Sequence, residues 1–313
     1  MQAIVLGIVA AFFFAFAFVF NRSMELEGGS WLYTASLRYL FMLPFLLAIV
    51  LLRGRLRSLW DEMRANPWQW FVWSFVGFGL FYAPLSFAAA YGPGWLIAGT
   101  WQITIIAGSL LVPLFGQKIP YRGLSMSLLI LVGVALMQMH EADQLGAREV
   151  LLGVVPVLVA AFAYPLGNRK MMELTKGRID AYERVLGMTV ASLPFWLVLG
   201  GIGYVTEGPP SGSQTLQSLL VAITAGIIAT VLFFKATDLA KGNAQQLAVV
   251  EATQAGEVVF AVALEVMLLQ APLPGIWSAA GMLLVIVGMV LHSYVSRQIV
   301  TGKPAKKQRE LTS

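Results

Sequence analysis

The sequence predicts an all-α integral membrane protein with ten transmembrane helices, arranged as two inverted five-helix repeats. Three observations support this fold class. The 313 residues are 58% hydrophobic and 12% charged, whereas soluble domains have roughly 45 to 50% apolar and about 25% charged residues. Ten apolar runs are long enough to cross a bilayer. Several short motifs of the first half recur, in the same order, in the second half.

A span needs about 20 mostly apolar residues. The first run lacks a basic segment before it and a small-residue cleavage site after it, so it is interpreted as a retained span and not a signal peptide. The predicted spans are residues 2–20, 31–52, 68–90, 94–115, 122–139, 149–167, 181–203, 216–237, 245–269 and 275–296.

The loop charges predict the orientation, because loops rich in Lys and Arg stay cytoplasmic. With the N-terminus inside, sixteen of the 21 Lys and Arg residues fall in inner segments, among them Arg169, and only Arg22 and Arg148 fall in outer ones. We therefore expect a multi-pass protein of the cell membrane with both termini in the cytoplasm. The basic tail, residues 297–313, is expected to anchor to lipid headgroups.

The internal repeat predicts the domain organisation. The matching pairs, in chain order, are "LGIV" and "LGVV", "AFAFVFNRSM" and "AFAYPLGNRKM", "RYLFM" and "RVLGM", "TWQ" and "ATQ", and "LLILVGVAL" and "LLVIVGMVL". Residues 1–145 and 146–296 thus form two units of five spans. Because five is odd, the second unit enters the membrane from the opposite side. Inverted repeats of this kind serve alternating access to a site near the midplane.

The order of these motifs, together with "NRSMEL" leading to "LRYLFMLPF", resembles the drug/metabolite transporter superfamily. Within it, the chain is similar to the ten-helix, two-repeat branch of multidrug resistance efflux transporters. The resemblance covers essentially residues 1–296, since the "GVAL" and "GMVL" helix ends and the duplicated "LPF" recur in register. It implies a secondary transporter that exports small organic molecules.

The ninth span carries the densest group of polar residues, Glu251, Gln254, Glu257 and Glu265. A rise of 1.5 Å per residue places Glu257 about 15 Å deep, near the midplane, with Glu251 closer to the inner side. Glu257 and Glu251 are therefore the candidates for proton coupling, because an ionised group at that depth is costly. The alternative is permanent pairing with a Lys, Arg or Trp donor. Glu265 is expected at the outer interface.

Polar and aromatic residues of the fourth span indicate a substrate site. Trp101, Gln102 and Thr104 lie in "GTWQIT", and Gln102 and Gln254 take equivalent repeat positions, where we expect them to face each other across the axis. An indole offers a flat apolar or cation-binding surface. With Tyr82, these residues are the predicted substrate-binding set. Packing in the core is the alternative for each of them.

Several polar residues receive a gating or structural prediction. Arg38 and Arg184 are repeat equivalents. Asn21 and Asn168 are also repeat equivalents, and each is expected to close its helix, Asn21 on the outer face of the membrane and Asn168 on the inner face. Lys235 and Asp238 are expected to pair with each other or with Glu251.

The leading functional hypothesis is export of drug-like or cationic amphipathic molecules in exchange for protons. An exporter of amino acids or related metabolites is the alternative. A membrane-embedded enzyme is disfavoured because the chain offers no convergent nucleophile, acid and base. With no Cys, two His and no Walker A sequence, neither a metal, a cofactor nor ATP is expected. The expected partners are a small-molecule substrate, protons and membrane lipid, with no nucleic acid, and the chain is expected to be a monomer.

Overall fold

The structure, a computed structural model, describes residues 1–91, 94–116, 118–119, 121–138, 147–270 and 275–301. These residues form an all-helical chain without strands. Eight helical segments are long and apolar enough to cross a membrane, and two shorter apolar helical stretches, Leu124–Met137 and Ala279–His292, accompany them. The protein is therefore a multi-pass integral membrane protein.

Eight α-helices form the described part of the first half. Two of the membrane-crossing segments, α1 and α2, are single helices, the third and fourth segments are each divided in two, and α8 contains the shorter apolar stretch Leu124–Met137. The helices are α1 (Gln2–Leu26), α2 (Trp31–Leu52), α3 (Leu56–Ala65), α4 (Pro67–Ser74), α5 (Leu80–Tyr91), α6 (Gly94–Trp101), α7 (Ile103–Leu110) and α8 (Tyr121–Gln138).

Seven α-helices form the described part of the second half, and its third and fourth segments are again divided. The helices are α9 (Ala147–Thr175), α10 (Ala181–Glu207), α11 (Gly212–Val221), α12 (Thr230–Leu239), α13 (Ala244–Ala252), α14 (Gly256–Leu268) and α15 (Ile276–Thr301).

Side-chain caps fix where several helices begin. Ser30 accepts a hydrogen bond from the Leu32 amide at the start of α2, and Asp180 forms a reciprocal capping box with Glu183 at the start of α10. Such caps satisfy amides that have no partner within the helix. The starts predicted at residues 31 and 181 agree with these caps.

Helices α1 and α9 extend well beyond their predicted ends. Helix α1 reaches Leu26 and α9 reaches Thr175, so Asn21 and Asn168 lie inside helices, and the prediction that they close them is wrong. Their side chains are buried against neighbouring helices, which removes the solvent exposure that a helix end would give. Helix α3 is absent from the predicted spans, because charged residues alternate with its apolar residues.

Four interruptions divide membrane segments that the sequence predicted as continuous. Both third segments contain a π-helical stretch, Phe75–Gly79 and Ala222–Ala229. Both fourth segments break at "TWQ" and "ATQ": α6 ends at Trp101 and α7 begins at Ile103, and the 3-10 turn Thr253–Ala255 separates α13 from α14. π-Helical and 3-10 stretches inside helices are common at functional sites.

Helices of the two halves pack against each other in matching pairs. Helix α2 packs on α10 and α8 packs on α15, while α1 packs on α12 and α14 and α9 packs on α5 and α7. At the α8–α15 contact the backbones of Gly133 and Gly281 meet, and a Cβ at Gly281 would overlap the Gly133 carbonyl oxygen. Small residues allow such close approach between helices in membranes.

Replacing Gly281 by Ala is expected to lower the free energy of unfolding by about 1–3 kcal/mol, because the added methyl group overpacks the contact. The measurement is thermal unfolding in detergent. Gly201→Ala is the matched control, since a Cβ at Gly201 meets no atom within 4 Å and Ala favours helix. An equal effect of the two substitutions would contradict the close packing of α8 and α15.

Candidate substrate and proton site

Glu257 and Trp101 meet where the two interrupted fourth segments face each other. Glu257 lies in the first turn of α14, directly after the 3-10 turn, and Trp101 is the last residue of α6. The indole Nε1 donates a hydrogen bond of 3.0 Å to Glu257 Oε2, and both side chains are buried. A helix N-terminus favours a carboxylate, so the helix break and the indole together hold this acidic group inside the protein.

Aromatic rings surround this pair. The ring centroid of Phe81 lies 5.1 Å from that of Trp101 and 4.6 Å from that of Tyr164, and Phe14 and Phe18 line the same cavity. The cavity measures about 20 Å³, room for roughly one water molecule. The structure is therefore closed around Glu257, and an organic molecule can enter only after the helices part.

Arg38 lines the same cavity with its charge directed between helices. Its guanidinium carbon lies 4.0 Å from the centroid of the Tyr82 ring, within the range of a cation–π contact. Arg38 Nη2 donates to the Ala225 carbonyl oxygen at 3.2 Å, and the Tyr82 hydroxyl donates to Asn21 Oδ1 at 3.1 Å. Arg38, for which the sequence predicts a gating role, thus lines the cavity, and Asn21 holds the hydroxyl group of Tyr82 by this hydrogen bond.

The structure brings together four of the residues predicted for substrate binding and proton coupling, Tyr82, Trp101, Gln254 and Glu257. Gln102 and Thr104 are buried but do not line the cavity. Gln102 Nε2 donates to the carbonyl oxygen of Ala98, in the preceding helix α6, at 3.1 Å. Gln102 thus lies at the break after Trp101 and outside the cavity that Gln254 lines, and the expected placement of the two Gln side chains across the axis stays a prediction. Phe81 is a lining residue that the sequence prediction missed.

Glu251 lies in a separate site, in an ion pair with Arg169 of α9. Arg169 donates from Nη2 to both carboxylate oxygens at 2.8 and 2.7 Å, and from Nε at 3.0 Å. Gly108 makes room for the carboxylate, since a Cβ there would overlap Glu251 Oε2. Arg169 is 5% exposed, so its assignment to a loop is wrong. The pairing favours a structural role for Glu251 over the predicted proton coupling.

The second-half residues predicted for gating form their own polar contacts. Arg184 Nη1 donates to Asp238 Oδ1 at 2.7 Å, and Asn168 Nδ2 donates to Thr237 Oγ1 at 3.2 Å. Lys235 is exposed, Asp238 pairs with Arg184 and Glu251 pairs with Arg169. The expected pairing of Lys235 and Asp238 with each other or with Glu251 is therefore wrong. The contacts tie α9 and α10 to α12.

A comparison with known proteins shows which family this chain belongs to. A family model described as "EmrE: Putative multidrug resistance efflux transporter" matches residues 1–298. The chain belongs to this family. It is a membrane transporter, and its family is one of transporters and not of enzymes.

Two relatives and one solved structure resemble this transporter. "Uncharacterized protein YjlA" of Bacillus subtilis (strain 168) is 55% identical over an alignment of 327 positions, which covers 100% of each chain. A protein of Shouchella clausii, "Uncharacterized 42.1 kDa protein in intracellular alkaline protease 3'region", is 56% identical over 267 residues, 82% of this chain and 70% of its own. A protein crystal structure, 17% identical, has a TM-score of 0.71 and covers 95% of this chain and 98% of its own, so the fold is shared.

Different contacts close the two ends of the transporter. At the end where α2 finishes, three ion pairs join the halves: Arg53 with Asp180, Arg55 with Glu183 and Arg178 with Glu62, at 2.6, 3.3 and 2.6 Å.

At the opposite end Glu27 accepts hydrogen bonds from Ser213, Gln217 and Ser23 at 2.5, 2.9 and 3.2 Å. The Ser213 hydrogen bond, foremost, lowers the pKa of Glu27 from its ordinary value of 4.5. A lowered pKa means that this contact stabilises closure fully above pH 4.5 and is lost as the pH falls through the lowered value.

Replacing Glu251 by Gln is expected to destabilise the folded transporter by about 3–5 kcal/mol, because Arg169 is left as a buried charge without a carboxylate. Thermal unfolding of the purified protein measures the loss. Glu173→Gln serves as the control: it removes an exposed pair with Lys170, expected to contribute at most about 1 kcal/mol. Wild-type stability of the Glu251 variant would overturn the structural role and restore the proton-coupling hypothesis.

Proposed function

We propose that this transporter exports small amphipathic organic molecules in exchange for protons, with Glu257 as the site that substrate and proton share. One observation carries the proposal: a carboxylate is buried at a helix interruption, in a closed cavity with aromatic walls, and an indole donor holds it. Such a carboxylate is costly when ionised and alone. Protonation or a bound cationic group offsets that cost, and the two compete for one position.

The proposed architecture is ten transmembrane helices in two inverted repeats, residues 1–145 and 146–296. The matching pairs of packed helices support it, since α1 meets α12 and α14 as α9 meets α5 and α7. The π-helical stretches and the breaks at "TWQ" and "ATQ" recur at equivalent positions, which also supports it. In this arrangement the halves exchange conformations around the cavity, opening it to one side at a time.

The proposed orientation places both termini in the cytoplasm and the chain in the cell membrane, as a monomer. The distribution of Lys and Arg supports the orientation. Although Arg169 moves from a loop to the protein interior, fifteen basic residues still fall in inner segments against two in outer ones. The end with three ion pairs is then cytoplasmic, and the Glu27 end is outside.

Export of amino acids or related metabolites is the second candidate function. Arg38 favours it, because a buried guanidinium in the cavity repels a simple cation and attracts a carboxylate.

Replacing Glu257 by Gln is expected to abolish accumulation driven by a pH gradient while leaving substrate counterflow measurable, because Gln keeps the shape of the side chain but cannot titrate. Both quantities are measured in proteoliposomes. Glu265→Gln is the control and is expected to transport like the wild type, since Glu265 is only partly buried and does not line the cavity.

Uphill transport by the Glu257 variant at the wild-type rate would remove Glu257 from the coupling step. If the Glu251 variant alone lost uphill transport and remained folded, the coupling site would lie at the Arg169 pair.

A cysteine at Ser213 is expected to react with a membrane-impermeant maleimide only from outside the cell, because the proposed orientation exposes that end. The native chain has no Cys, so the signal is specific. A cysteine at Arg57, exposed at the other end, should react only after the membrane is permeabilised. The reverse pattern would contradict the orientation.

A further inference from the structure

We infer that Arg38 binds the carboxylate of the transported molecule, so that the substrates are amphoteric, with a carboxylate and a cationic nitrogen on an apolar body. The inference rests on the proposed transport function and goes further by naming the substrate class and the residue that selects it.

Arg38 is a buried charge with unused hydrogen-bonding capacity. The side chain is 2% exposed, and its Nε has no hydrogen-bond partner in the part of the chain that the structure describes. No carboxylate of that part lies within 4 Å of its guanidinium nitrogens. Nη2 is held by the Ala225 carbonyl oxygen of the π-helical stretch. A guanidinium with one edge free is suited to a planar acceptor such as a carboxylate.

The repeat-equivalent arginine shows what Arg38 lacks. Arg184 is the first residue of the equivalent motif, "RVLGM", in the second half, and it donates a hydrogen bond to Asp238 at 2.7 Å. Arg169, the other buried arginine of that half, is paired with Glu251. Arg169 and Arg184 thus each pair with a carboxylate of a neighbouring helix, while Arg38, in the same cavity as Glu257, has no carboxylate of the described residues within 4 Å. A ligand carboxylate at Arg38 would complete the arrangement that the second half builds from its own residues.

The net charge of the cavity indicates which charges the rest of the ligand carries. Arg38 and Glu257 line the same cavity, so an ionised Glu257 and Arg38 sum to zero. A simple cation would pair with Glu257 but leave a net positive charge in a poorly solvated space, and a simple anion would leave a net negative charge. An amphoteric molecule places its nitrogen at Glu257 and its carboxylate at Arg38 with no excess charge. The rings of Phe81, Trp101 and Tyr164 are available for its apolar body.

Three probes with one phenyl body test the inference: phenylalanine is amphoteric, phenethylamine is cationic and 3-phenylpropionate is anionic. Their dissociation constants are measured by calorimetry on the full-length protein in nanodiscs, at a pH where Glu257 is ionised. The wild type is expected to bind phenylalanine at least tenfold more tightly than either other probe. Arg38→Gln is expected to weaken phenylalanine at least tenfold and to leave phenethylamine unchanged or tighter.

Unequal effects on the two probes separate ligand contact from folding, because general damage weakens both alike. If Arg38→Gln does not fold, Arg38→Lys replaces it; this variant keeps the charge but loses Nε, and phenylalanine binding should weaken at least threefold without loss of phenethylamine binding. Equal weakening of both probes, or a wild type that does not prefer phenylalanine, overturns the inference.

The proposed transport function is tested apart from this inference. If phenethylamine is driven uphill by a pH gradient, depends on Glu257 and is unaffected by Arg38→Gln, the proton-coupled carrier stands and the amphoteric substrate class is wrong. If phenylalanine binds through Arg38 but no gradient drives it in a Glu257-dependent manner, the substrate class stands and the proton coupling is wrong.

Discussion

The location of the site depends on one constraint, the need of every backbone amide and carbonyl in hydrocarbon for a hydrogen-bond partner. Uninterrupted helices meet this need alone, whereas a break leaves groups that only buried surroundings can satisfy. The breaks after Trp101 and at Thr253–Ala255 are accordingly buried against other helices. Because polar side chains and free backbone groups accumulate at such breaks, the cavity at Glu257 forms there and not along the continuous helices.

Buried charge is divided between fixed pairs and exchangeable groups. Removing a charge from water is repaid only by close pairing and further hydrogen bonds, and the Arg169–Glu251 pair meets this condition with three hydrogen bonds. Fixed pairs of this kind hold helices together. Glu257 and Arg38 form no such ion pair within the described residues, so in the proposed function they are the groups whose charge a proton or a substrate offsets. This difference explains why Glu251 and Glu257, on the same membrane segment, have different proposed roles.

Hydropathy predicted the membrane class and the bounds of α2, because these depend on composition and on helix ends. The contact of Trp101 with Glu257 corresponds to the alternative given for Glu257, pairing with a Trp donor. The interruptions could not be predicted in this way, since a π-helical or 3-10 stretch changes hydrogen bonding without changing hydropathy. The equivalence of "TWQ" and "ATQ" in the repeat matches the positions of Gln102 and Gln254, but it does not predict the direction of a side chain at a break. Arg169 was misplaced for a different reason: counting charges by loop carries no information on depth, and only its equivalence to Arg22 beside an Asn could have prompted a search for a buried carboxylate.

The two ends of the bundle differ in how closure depends on the solvent. Arg53, Arg55 and Arg178 are each about half exposed in their ion pairs, so dissolved salt screens these contacts and makes that end easier to open. The Glu27 end relies on neutral donors around one carboxylate, and its closure responds to acid more than to salt. In the proposed cycle the cavity must open at both ends in turn. In that cycle, ionic strength acts on the opening of the ion-paired end and pH acts on the opening of the Glu27 end.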